Sequence, residues 1–247
     1  MLQELIHYCA SFPGTPGRFR RYLPDAVGIW ARGRRQMAAW APHTSRTAAL
    51  IAATIPTLPS HRTAVVLGSG SLFDIPLEAL STAFKTVILV DRAHLAAARR
   101  RARPLGNVHF IWRGLSIADT RRPLAFLEEI ADLDWVLSIN LVSQLAVGAP
   151  DGQERAVIDA HLDALAALPC PVTLATDLRY QVTNRAGAVI EDFDLLYGRS
   201  MPPGSAEWPW DVAPFGEEGR DTRRVHTVTF YPDWATASRY KTDIKSG

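Results

Sequence analysis

From Thr63 onward the chain alternates between two patterns of apolar and polar positions. Five short runs are apolar nearly throughout: AVVLG, TVILVD, VHFIW, WVLSIN and PVTLATD. Between them lie PLEALSTAF, AHLAAARRRAR, RRPLAFLEEIADL and GQERAVIDAHLDALAAL, whose apolar residues recur at helical spacing. Pro76 opens the first of these where proline suits a helix, and the arginines closing the second suit the negative end of a helix dipole. Strands apolar on both faces, alternating with helices, predict a parallel sheet covered on both sides. Right-handed crossovers then make it doubly wound.

The rhythm changes on either side of this core. Residues 1–62 read as helical, with breaks at FPGTPG and LPD, and TIPTLPSHR reads as a linker because its prolines block a helix. After Asp177, AVIEDFDLLYG and RVHTVTFYP read as strands with no helix between them, hence an antiparallel pair. Residues 199–224 between them are too long for an idle loop, and their tryptophans argue against disorder. They are expected to form an inserted cap over a site. The expected fold is therefore α/β: a doubly wound, mostly parallel seven-stranded sheet with an antiparallel C-terminal strand pair and an N-terminal helical extension. The expected division is 1–62 and 63–247.

Composition narrows the function classes. The 247 residues are 47% hydrophobic and carry a formal charge of +2, too little to argue for a nucleic-acid partner. ARRRAR reads as a solvated helix end. Cys9 and Cys170 have no metal-ligand or disulfide-framework spacing. The start shows no signal-peptide pattern, and AALIAATI is far shorter than the ~20 residues of a membrane span. A cytoplasmic protein is expected, with no membrane partner and no metal. Nothing sets an oligomeric state. The charge is uneven: eight arginines in residues 1–62 face only Glu4 and Asp25, which favours an anionic ligand.

The candidate chemistry begins at TAVVLGSGSLFDIP, residues 63–76. In an open α/β sheet the first strand-to-helix turn touches the ligand, and glycines let the backbone approach it. An acid at the end of the second strand accepts hydrogen bonds from ribose hydroxyls. Gly68, Ser69 and Gly70, with Asp91 and the adjoining Arg92, occupy those places. Asp91 also suits a helix N-cap. A dinucleotide motif wants a third glycine where Phe73 stands, which weakens an NAD(P)-dependent oxidoreductase reading.

These residues resemble the class I S-adenosylmethionine-dependent methyltransferases. That family's first motif is an acid-x-Gly-x-Gly-x-Gly turn; here the positions read Val66-x-Gly68-x-Gly70-x-Leu72. The resemblance covers roughly residues 63–240 and includes Asp91 and the terminal strand pair. It implies S-adenosyl-L-methionine as cofactor. Asp74 would take over from the missing acid at the cofactor's amino end, unless it caps the helix at Pro76. In WRGLSIADTRR, Ser116 and Asp119 would lie beside the adenine.

The fourth strand ends in Asn140, Ser143 and Gln144, hydrogen-bonding side chains that need partners. In the family this strand end faces the methyl group. The base-methylating form [DN]PP[FYW] is absent here. Methyl transfer from a sulfonium is mainly alignment, so no sharp catalytic signature is expected. Asp177, Tyr180 and Glu191 are candidate bases. Trp40, His43 and Arg46 share a helix face that would close over the pocket, while His161 reads as a core residue. The implied activity is methyl transfer to a small acceptor, and the arginine excess favours an anionic one. The alternative is a non-catalytic or regulatory protein that binds the same cofactor.

Overall fold

Five parallel strands form where the apolar runs lie: β1 (Thr63–Leu67), β2 (Thr86–Asp91), β3 (Val108–Trp112), β4 (Leu133–Ile139) and β5 (Val172–Asn184). The computed structural model describes residues 2–117 and 121–243. Three more strands follow: β6 (Val189–Asp194), β7 (Ala206–Ala213) and β8 (Thr222–Tyr231). The sheet order is β3-β2-β1-β4-β5-β8-β7, with β6 paired to β5. Order reverses between β1 and β4, so the carboxyl ends of those strands flank a switch point. The chain thus has the doubly wound, mostly parallel α/β fold expected of it, with eight strands rather than seven.

The eighth strand is β7, inside the stretch expected to be an inserted loop. In AEWPWDVA the apolar residues alternate with Glu207, Pro209 and Asp211, the period of a strand with one face buried. Pro209 disguises it. The sheet tolerates that proline because β7 is the edge. A second correction concerns the C-terminal pair. β6 and β8 are not partners; each pairs antiparallel with β5.

Helices cover both faces. On one side α3 (Met37–Thr54), α4 (Leu77–Ala83) and α5 (Ala96–Ala102) pack Ile51, Leu77, Leu80 and Ala98 against Val66, Leu89 and Leu137. On the other, α6 (Val142–Ala146), α7 (Glu154–Ala166) and α8 (Trp234–Asp243) bring Leu145, Ile158, Leu162 and Trp234 to Val65, Val90 and Val136. Between β3 and β4, RRPLAFLEEIADL forms only a short 3-10 turn, Ala125–Glu129, instead of the expected helix.

The first helices dock by their own chemistry. α1 (Leu2–Ser11) supplies Ser11 Oγ, which accepts the Ala96 N–H at the start of α5 (2.9 Å). α2 (Leu23–Arg35) starts at the LPD tripeptide, with Pro24 in its first turn, and lays Leu23 and Val27 on Ala93 and Leu95. Arg32 and Arg35 pair with Glu217 and Glu218 in the turn between β7 and β8. The linker is pinned by Arg62, which holds the Asp134 carboxyl down to about 2.

Candidate functional site

The turn after β1 is left-handed at each motif position: φ is +69° at Gly68, +49° at Gly70 and +60° at Leu72. A Cβ on Gly68 would lie 3.0 Å from that of Leu141. Glycine is therefore favoured there by both conformation and space. Leu72 adopts the conformation a glycine would take, at a cost of roughly 1–2 kcal/mol for an L-residue. Its buried side chain offsets that cost, and its carbonyl accepts a bond from Arg101 (2.5 Å). Phe73 does not enter the turn. It packs against Gly33 and edge-on to Trp40.

Asp91 closes the turn from the end of β2. Its Oδ2 accepts the Gly70 N–H (2.8 Å) and its Oδ1 the Ala93 N–H (3.2 Å). A carboxylate offers about four acceptor sites, so capacity remains for ligand hydroxyls. Arg92 lies over the Tyr22 ring at 4.8 Å. Ser116 is buried after β3. Asp119 lies outside the described residues.

At the end of β4, Asn140 is left-handed too, with φ +50°. Its amide nitrogen lies 2.6 Å from Asp74 Oδ2 and 3.0 Å from His43 Nε2. Asp74 therefore faces Asn140. α4 begins without a side-chain cap, so Asp74 has no capping role there. Trp208 donates its indole N–H to His43 Nδ1 (3.1 Å), and the His43 ring stacks on Trp210 at 4.0 Å. Trp40 and His43 share the buried face of α3 as expected. Arg46 lies over Trp208 at 5.2 Å.

Beyond Asn140 the site continues along α6 and β5. Ser143 Oγ donates to Asp177 Oδ2 (3.3 Å), and the same oxygen lies 3.0 Å from His226 Nδ1. Gln144 does not join them; it is exposed and donates to the Asn140 carbonyl (2.8 Å). Tyr180 donates to Glu191, which raises the phenol above its ordinary range. Both lie on the extension formed by β6 and the far half of β5. Behind β4, His161 bonds Ser138 (3.1 Å); complete burial pushes its pKa down to about 4 and keeps it neutral.

Sequence reasoning missed Trp208, Trp210 and His226 as site residues. The first two lie in the disguised strand. His226 was legible only as one polar position in RVHTVTFYP, and its partner Asp177 is 49 residues away. The signal is the match of a buried carboxylate at one strand end with a histidine on the antiparallel neighbour.

Buried polar atoms almost always find hydrogen-bond partners. Several that lack one cluster along the carboxyl edge. They are Ser69 Oγ, Asn140 Oδ1, Asp177 Oδ1, Trp210 Nε1 and His226 Nε2, with His94 Nδ1 and Trp112 Nε1 at the β2 and β3 ends. Whichever way the Asn140 amide is turned, one end is unpartnered. Among the described residues no cluster of side chains suits a metal ion, and no helix is long and apolar enough to cross a membrane.

No family model matches the chain, and no curated protein matches it. Solved structures of similar overall fold include the N-methyltransferase NodS from Bradyrhizobium japonicum with S-adenosylhomocysteine. The overlap covers 76% of this chain and 87% of NodS at 12% identity, with a TM-score of 0.39. A DhpI complex with S-adenosylhomocysteine overlaps 82% of this chain and 93% of its own at 15% identity and TM-score 0.41. A 1,6-didemethyltoxoflavin-N1-methyltransferase from Burkholderia thailandensis overlaps 84% and 89% at 14% identity and TM-score 0.38. Likeness this distant carries no argument about activity.

Proposed function

We propose that the chain binds S-adenosylmethionine at the carboxyl edge of β1 and β2 and transfers its methyl group to a small acceptor held beneath β7 and β8. The observation that carries this reading is the left-handed turn from Gly68 to Leu72, closed by Asp91. The residues fit the cofactor. Asp91 would hold its ribose hydroxyls, and the turn's backbone would admit it closely. Asp74, with its carboxylate beside Asn140, would face its ammonium group. Ser116 would lie on the adenine side. When bound, the cofactor supplies a methyl group already activated on a sulfonium.

The chain's own residues supply alignment. Asn140, fixed by its strained backbone and by His43 and Asp74, borders the space between turn and aromatic cap. Trp208 and Trp210 exclude water from that space. Val66 is fully buried in the sheet, so no acid stands at the first motif position. That feature favours a second reading, a binding protein without turnover.

Calorimetry with S-adenosylmethionine, S-adenosylhomocysteine and NADH tests the proposal. Binding of the first two and not the third is expected. Heat with NADH alone, or with none, would overturn it. Methylation of any acceptor rules out the second reading.

A further inference from the structure

We propose that Asp177 and His226 form a proton-accepting pair that serves a phenol-type acceptor, an aromatic ring bearing an acidic O–H. The inference rests on the methyl-donor reading above for its purpose, though not for its geometry.

The geometry begins with a bulge. The β5–β8 register shifts between Asp177 and Arg179. An inserted residue reverses which side chains share a face. Asp177 before it and Tyr180 after it therefore point to the same side, and both meet His226. Asp177 is buried, with a side-chain exposure of 7%, and His226 has 13%. A carboxylate only accepts, so in the neutral ring Nδ1 carries the proton and Nε2 presents its lone pair. That Nε2 is buried without a partner, as are the neighbouring Trp210 Nε1 and Asp177 Oδ1.

The surroundings select a flat, apolar body. His226 pairs across the strands with Tyr180 on one side and Trp210 on the other, and Phe193 extends the row. Ring separations along it are 5.5 Å from Phe193 to Tyr180, 5.6 Å to His226 and 5.9 Å to Trp210. Trp210 then stacks on His43, which borders Asn140. The row thus leads from the exposed Phe193 to the centre of the site. An imidazole is basic enough to take a proton from an acidic hydroxyl such as a phenol, and too weak a base for an aliphatic alcohol.

In the proton step the O–H bond of the acceptor breaks and an N–H bond forms at His226 Nε2. The electron pair stays on the oxygen, which becomes the nucleophile. Asp177 stabilises the imidazolium. The charged or titratable groups facing His226 are Asp177 and Tyr180 from β5, Arg224 from its own strand and His43 beyond Trp210 from α3. Arg224 lies over Tyr180 at 4.6 Å and is paired with Glu218.

The test uses 4-nitrophenol, whose phenolate absorbs visible light, titrated with and without saturating S-adenosylhomocysteine at a pH below its ionisation in water. The native protein is expected to bind it and produce the phenolate band. His226→Asn and Asp177→Asn should each weaken that response about tenfold, the loss of one charge-assisted contact. Their affinity for S-adenosylhomocysteine should stay within about twofold. No binding, or the same band in both variants, overturns the pair. A band that depends on His226 in a protein that ignores S-adenosylhomocysteine keeps the pair and removes the methyl-donor reading. Nitrogen NMR of the histidines guards against misfolded variants. The native ring should carry its proton on Nδ1, and a proton on Nε2 would sink the proposal.

Discussion

The two halves of the carboxyl edge are made of different material. Over β1 and β2 the walls are backbone: three left-handed residues and main-chain N–H groups gathered by Asp91. Over β5 to β8 they are side chains: a row of rings, a histidine and a buried acid drawn from four strands. Asn140 stands at the seam, with a strained backbone and an amide that reaches both sides. The difference suits a division of labour. A wall of backbone fits one constant ligand, while a wall of side chains can be recut for a particular acceptor without disturbing the first.

The largest test of this division is Asp91→Ala. It should lower S-adenosylmethionine affinity on the order of 10²-fold by calorimetry, since charge-assisted bonds to ligand and turn are lost together. A loss below about threefold would place the donor elsewhere. Trp208→Phe acts on the other half. Stranding the buried His43 Nδ1 should cost about 1–3 kcal/mol in urea unfolding, with cofactor affinity unchanged; a large affinity loss would mean the halves are not separable. Gly68→Ala should weaken cofactor binding about tenfold, from the roughly 1–2 kcal/mol of left-handed strain and the approach to Leu141.

The smallest effect separates the site from the core beneath it. His161 has a folded pKa of about 4 against 6.5 unfolded. Between those values the unfolded chain binds more protons. Stability is therefore full above 6.5 and declines as pH falls toward 4. In His161→Gln the urea midpoint should decline less across that window. An unchanged decline would assign it to the site's own groups.

The turn over β1 and β2 was legible in the sequence because its information is local. Gly68, Gly70 and Asp91 sit within one strand-helix-strand unit, and their spacing follows from it. Even Leu72, a departure from the motif on paper, keeps the motif's conformation. The side-chain wall over β5 to β8 was not legible, because its contacts join residues far apart. Trp208 meets His43 across 165 positions, and the strand that carries it was hidden by Pro209. The bulge that brings Tyr180 onto the face where Asp177 meets His226 leaves no mark in residue type. Gln144 shows the opposite error: a polar residue in the right place whose amide is taken up by the Asn140 carbonyl one turn back.

Leu72 carries one more consequence. A glycine at the end of the turn would leave the free protein many backbone states and charge the ligand with the entropy of choosing one. A leucine has fewer states to lose, and here its side chain is buried in the core that Ile75, Leu77 and Leu80 share on one face of the sheet. The cradle is therefore set when the protein folds. Its shape is inherited from the packing of the interior.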